Sequence, residues 1–218
     1  MDELHRFKKE LFVFFVGLTV IMSSLTVSIA SRVDAASQDG INHVHAAAGW
    51  TVMYYMCGDS SGMEEHIDPL LNNLSRIGST KDLNIVVLVD KKETGDSRLY
   101  YIDETGEKVR LNDVFGWPDE VDTSSSLTLE LYCKQMMKAY PAEHYAFITY
   151  ASGGTGWQLY CLADSSDGGK GLTIPVFANV LKNVTAAVDH KIDVLFVTCA
   201  MGMIEVAYEI SPYVDYMV

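Results

Sequence analysis

The stretch Leu83-Asn-Ile-Val-Val-Leu-Val-Asp90 leaves the least freedom to whatever this chain folds into. A strand that is apolar at nearly every position has no face to turn to water. It belongs inside a sheet covered on both sides, the ordinary setting of parallel strands. Residues 50–56 and 145–150 are further strands of this kind, and another opens at Ile192. Between them the apolar period changes. Ile67, Leu70, Leu71, Leu74 and Ile77 recur at three- and four-residue steps and predict a helix over 63–77, with Pro69 tolerated near its first turn. Ser124, Ser125 and Ser126 offer a cap for a helix over 127–140 that stops at Pro141, and a third helix is expected over 175–188. Residues 95–115 read as a hairpin, Arg98–Ile102 followed by a strand over 108–114, and residues 164–171 as an exposed loop. Strands alternating with helices predict an α/β fold, a mostly parallel sheet with helices on both faces.

The N-terminus is of another kind. Arg6, Lys8 and Lys9 precede the uncharged run 11–30, and small residues follow at Ala30-Ser31 and Ala35-Ala36. That is the pattern of a secretory signal over 1–36. The run is also about as long as a membrane-spanning helix, roughly 20 residues, so an uncleaved signal anchor is the alternative. Either way the rest of the chain is expected to be exported, secreted or held at a membrane only through that anchor. Residues 37–49, with His43 and His45, read as a solvated linker, and 50–218 as one domain. The chain stops on apolar residues, and by the family resemblance given below, in which this last strand runs on into further pocket-forming segments, the domain is expected to be the N-terminal piece of a longer one.

Composition narrows the partners. A net charge of −13 excludes nucleic acid, whose phosphates need clustered Lys and Arg. The wide, irregular spacing of Cys57, Cys133, Cys161 and Cys199 argues against a disulfide framework or a zinc site, and none is read as a metal ligand.

The chemistry concentrates at Ile192-Asp-Val-Leu-Phe-Val-Thr-Cys199-Ala-Met-Gly-Met-Ile-Glu205-Val-Ala207. A strand gives way to helical spacing from Ala200 onward, with a thiol at the strand's carboxyl end, where α/β sheets present their ligands and chemistry. By residue type alone Cys199 is as readily a small buried hydrophobe, as most free cysteines are.

The segment Phe196-Val197-Thr198-Cys199-Ala200-Met201 with Glu205 resembles the cysteine block of the clostripain-like (C11) cysteine peptidases, Phe-Asp-Ala-Cys-Leu-Met before a Glu-containing helix. Residues 51–56 with Gly58-Asp59, 84–90, 141–145, and Gly156-Trp157 followed by Asp164 support the resemblance, which covers 50–218. It implies a caspase-like fold, a peptide or protein as substrate or partner, and Cys199 at the nucleophile position. The family's histidine block reads roughly Trp-Asp-His-Gly-Gly-Gly-Trp. Here the segment is Tyr150-Ala-Ser152-Gly-Gly-Thr-Gly-Trp157, which puts Ser152 at the histidine position. Val197 takes the place of the acidic residue that, in the family, helps line a pocket for a basic side chain. Lys170 is a possible processing site between the two blocks. No cofactor is expected, calcium excepted, which some relatives need; Asp164 and Asp167 are then available oxygens without a readable ligand pattern.

A serine hydroxyl does not carry a proton at neutral pH as an imidazole does, and valine offers a basic side chain no charge. His144 opens the strand that leads to Ser152, about 20 Å from that strand's far end. His66 and His190 are also expected away from the carboxyl edge. The resemblance therefore implies a catalytically impaired member, a pseudo-peptidase. The alternative is an active exported endopeptidase cleaving after Arg or Lys with Cys199 as nucleophile. A nucleotide-binding domain is set aside, because Gly153-Gly154-Thr155-Gly156 has the spacing of neither phosphate motif and Lys170 lacks the P-loop's neighbours.

Overall fold

A computed structural model of the protein describes residues 47–60, 62–151, 160–164 and 170–218. The strand β2 (Leu83–Asp90) is buried at every position after Leu83. It runs parallel to β1 (Ala48–Cys57), and the same sense continues through β5 (Ala142–Tyr150), β8 (Ile192–Phe196) and β9 (Val214–Met217). The hairpin of β3 (Arg98–Ile102) and β4 (Lys108–Arg110) joins β2 antiparallel, giving the order β4-β3-β2-β1-β5-β8-β9. A separate two-stranded ribbon pairs β6 (Tyr160–Asp164) with β7 (Lys170–Thr173).

Alternation along the strands sorts the core into two layers. Met53 and Tyr55 of β1, Val86 and Leu88 of β2, Phe147 of β5 and Leu195 of β8 face α3 (Ser126–Ala139) and α4 (Ile174–Val188), through Leu129, Tyr132, Met136, Phe177 and Leu181 among others. The short α5 (Ile204–Ile210) adds Val206 and Ile210 to the same layer. The intervening residues Met56, Ile85, Val87 and Val89 turn the other way, onto Ile67, Leu71 and Leu74 of α1 (Glu64–Ile77). Helices therefore lie on both faces, as the apolar composition of β2 requires. The α1 layer is the narrower, for Phe196 of β8 and Tyr216 of β9 remain 39% and 71% exposed.

Four elements depart from the sequence expectation. The strand expected over 108–114 stops at Arg110 and gives way to the single turn α2 (Asn112–Phe115). Asn112 is responsible. Its buried amide accepts the Leu99 N–H and donates to the carbonyls of Ser97 and Pro118, work that an outward-pointing strand residue cannot do. The loop expected over 164–171 is a strand at both ends, with Asp164 and Lys170 in register; its middle, 165–169, lies outside the described residues. The helix expected from Ala200 starts at Ile204, because Ala200 adopts φ 62°, a left-handed conformation that cannot open a right-handed helix. β1 opens at Ala48, two residues before the expected start, where the Ala48 N–H donates to the Pro141 carbonyl.

Candidate active site at the carboxyl edge of the sheet

Five parallel strands deliver their carboxyl ends to one edge, and the two that carry the sequence-predicted site are neighbours. Ala146 and Ile148 of β5 stand opposite Val194 and Phe196 of β8, and the Thr149 hydroxyl donates to the Phe196 carbonyl at 2.9 Å. Just past the ends of these strands the chain reaches Ala151, which is buried, after β5, and Val197, Thr198 and Cys199 after β8. Ser152 is the next residue after Ala151 and lies outside the described residues, as does Asp167.

Cys199 is exposed, so it is not the buried hydrophobe its residue type suggests. The turn that presents it is fixed from both sides. Thr198 is buried with its hydroxyl on the Met201 sulfur at 3.1 Å, and the Met201 N–H returns to the Thr198 carbonyl at 3.3 Å. Ala200, held at positive φ, stores about 1–2 kcal/mol that glycine would not. Val197 is half-buried against the larger core layer, and its N–H donates to the Val218 carbonyl at 3.1 Å. The other three cysteines are buried. Desolvation raises the Cys57 and Cys133 thiols far above their ordinary range and pushes Cys161 up to about 12, leaving Cys199 as the accessible thiol of the four.

The described histidines do not meet that thiol. His144 sits near the start of β5, its Nδ1 2.8 Å from Asp193 and its ring on Trp50, at the far end of the sheet as expected. His190 is half-buried in the segment leading into β8. His66 corrects the expectation. It lies in the first turn of α1, the helix that leaves the carboxyl end of β1, and so belongs to the same edge as Cys199. Two strand spacings, about 10 Å, separate β1 from β8. The His66 ring is exposed, and its Nε2 is 3.5 Å from Glu65.

The same edge carries a second group of functional side chains. Asp59 follows β1, while Asp90 and Asp164 close β2 and β6; each presents an oxygen within 4.8 Å of the other two, and all three are buried. Gly58 permits the approach. Its N–H donates to the Asp90 carbonyl at 2.7 Å, and a Cβ there would stand 2.7 Å from the same oxygen. One Asp90 oxygen accepts the Ser97 hydroxyl, and one Asp164 oxygen accepts both the N–H and the hydroxyl of Thr123 at 2.9 Å. Burial pushes the Asp90 carboxyl up to about 8; the Ser97 hydroxyl pulls it down, and the Asp164 charge adds to the rise. Of the three, sequence reasoning offered Asp164 alone as an oxygen for an ion; Asp59 and Asp90 entered only through strand and family patterns. The available signal was shared position: each is an acidic residue at or just past the end of a strand.

A mostly parallel sheet flanked by helices, with a thiol and acidic groups at its carboxyl edge, is the caspase-like α/β architecture. The family model for the clostripain family, peptidase C11, matches residues 54–218, and the chain belongs to that family. Among solved structures it is similar to a secreted C11 cysteine protease from Bacteroides thetaiotaomicron in complex with an irreversible peptide inhibitor. The TM-score is 0.65 at 22% identity, over 78% of this chain and 48% of that one. A second structure from the same organism, the secreted C11 cysteine protease iotapain, gives 0.59 at 17% identity, over 79% and 52%. At such identities the likeness is one of fold. The chain spans about half the length of each of these structures. No curated protein matches it in sequence. Among the described residues no helix is long and apolar enough to cross a membrane.

Proposed function

We propose that this chain is an exported clostripain-family protein that receives peptide at the β5–β8 edge and does not cut it, a pseudo-peptidase. The observation that carries this reading is Cys199, exposed beside the end of β5 with no described histidine near enough to serve it. Ser152 stands at the family's histidine position and Val197 at its acidic pocket position. A thiol without an imidazole partner is a poor nucleophile at neutral pH, and a serine at the histidine position supplies no group to protonate a leaving amine. Export rests on the leader over 1–36 and on the secreted C11 proteases that the fold resembles.

The competing reading is an endopeptidase cleaving after Arg or Lys with Cys199 as nucleophile, and the strained turn at Ala200 favours it. The test is hydrolysis of Arg- and Lys-containing fluorogenic peptides by the protein expressed from its whole gene. No cleavage above the rate of a Cys199→Ala control is expected. Cleavage that Cys199→Ala abolishes makes the protein a working peptidase, and loss of that cleavage in His66→Ala would then identify the proton carrier.

Lys170 is the proposed processing position. The β6–β7 ribbon has only two strands, and such a ribbon is marginal without further support. Limited trypsin digestion should therefore cut first after Lys170, and the intact mass of the same sample reports whether 1–36 has been removed. A first cut after Lys92, in the exposed turn following β2, would show the ribbon to be the tighter of the two.

A further inference from the structure

We infer that the groove between the turn after α2 and the first half of α3 docks an amphipathic helix of a protein partner, one with Lys or Arg beside its apolar face. The groove has a volume of about 340 Å³ and is lined by Trp117, Pro118, Glu120, Val121, Leu127 and Leu131 among others. None of these residues belongs to the edge that presents Cys199, so the inference stands whether or not Cys199 cuts. Floor and rim differ. Trp117 and Val121 are buried, and the Trp117 indole N–H donates to Gln135 at 2.6 Å, which packs the turn onto the domain. Leu127 and Leu131 at the rim are 77% and 47% exposed. They lie one helical turn apart, and by helical spacing they stand opposite the buried stripe of Leu129, Tyr132, Cys133 and Met136. Isolated exposed leucines are ordinary, but leucines that border an apolar groove mark a surface that another molecule covers.

Charge selects the partner. Residues 111–131 carry five acidic side chains, Asp113, Asp119, Glu120, Asp122 and Glu130, and no Lys or Arg. The cations that reach this stretch are committed, Arg98 and Arg110 to Asp119 and Lys134 to Glu130. Glu120 is the charged residue of the lining and accepts the Gly95 N–H through one of its oxygens. Apolar walls flanked by carboxylates suit side chains with an apolar stem and a cationic tip, or leucines with such side chains beside them. A chain of net charge −13 also draws a basic partner and repels an acidic one. The lining sets the mode of recognition. It is made of a helix and a turn, without a strand edge for main-chain pairing, and the buried Trp117 ring offers no open face to proline. Insertion of apolar side chains at helical spacing is the mode that remains. At about 340 Å³ the groove lies at the small end of ligand sites, room for the anchor side chains of one helix.

The probe is a fluorescein-labelled synthetic helix of about 18 residues, with leucines at i, i+3, i+4 and i+7 and lysines on both sides of that stripe. Its binding to the protein expressed from its whole gene is read by fluorescence anisotropy at about 0.15 M salt. Two controls accompany it, the same helix with glutamates in place of lysines, and a scrambled peptide that keeps the lysines and loses the stripe. The lysine helix should bind saturably, and both controls roughly tenfold more weakly or worse. Leu127→Ala combined with Leu131→Ala should weaken the helix roughly tenfold, with little change in Tm because both side chains are at the rim. Leu127→Ala alone carries the same test should the double variant fail to fold. Glu120→Gln, which keeps an acceptor for Gly95, should weaken binding roughly threefold and flatten its salt dependence. Equal binding of the scrambled peptide would mean that the acidic surface attracts any polycation, and the proposal is then wrong. Helix binding that survives the leucine variants intact, or no binding at all, overturns it equally. A dimer in sedimentation that Leu127→Asp dissolves would give the groove to a second copy of the chain and overturn it as well.

Discussion

Replacing Phe147 by alanine is expected to cost about 3–5 kcal/mol of folding stability, among the largest effects available to a single side chain here. Phe147 lies at the centre of β5 with 0% exposure, its ring 6.4 Å from that of Tyr55 and 6.5 Å from that of Tyr132. These neighbours cannot collapse into the vacated space. The Tyr55 hydroxyl is committed to the Thr123 carbonyl, and the Tyr132 hydroxyl to the carbonyls of Tyr54 and Val86. The cavity therefore stays open, and its cost adds to the lost transfer energy. The loss would also reach the functional edge. β5 positions Ala151 on one side of the site, and Thr123 holds both Tyr55 and Asp164. Urea unfolding followed by far-ultraviolet circular dichroism measures the change. Leu127→Ala, at a position 77% exposed on α3, should by contrast stay within about 0.5 kcal/mol. A Phe147→Ala loss below about 1 kcal/mol would mean that the rings of Phe147, Tyr55 and Tyr132 are not packed as described.

What the sequence disclosed follows the strength of its periodic signals. Leu83–Asp90 is read to the residue, because a strand buried on both faces is apolar throughout and ends at its first charge. The helix Ile174–Val188 is read within one residue, with Pro175 in its first turn. The ribbon β6–β7 was not legible. Leu162 sits at φ 56° where the pairing register shifts, so the strand keeps no alternation to read, and the Ser-, Asp- and Gly-rich segment beside it looks like a plain loop. The candidate site divides in the same way. Cys199 and the neighbouring ends of β5 and β8 follow from a motif at a strand terminus and from the order of elements. The trio of Asp59, Asp90 and Asp164 depends on three distant segments meeting at one edge, and no local pattern encodes that meeting.

The replacement Ser152→His is expected to raise the rate at which iodoacetamide modifies Cys199 at pH 7 by roughly tenfold or more. An imidazolium beside a thiol lowers the thiol's pKa to about 3.5–7.5, and alkylation follows the thiolate fraction. The measurement is selective, because Cys57, Cys133 and Cys161 are buried and the modified peptide can be mapped to Cys199. On the proposed reading, cleavage of basic peptides is expected to need a second change. Val197 is half-buried against the main core layer, and Val197→Asp places a carboxylate there. That carboxylate lowers stability on its own, and a Lys or Arg of the bound peptide relieves it, so the charge should act through substrate. The single variant Ser152→His should therefore gain thiol reactivity without a preference for basic residues, and the double variant should add that preference. An unchanged alkylation rate in correctly folded Ser152→His would show that residue 152 does not stand beside Cys199. The pairing of the β5 and β8 ends would then carry the fold alone, and the proposed lack of activity would need another cause.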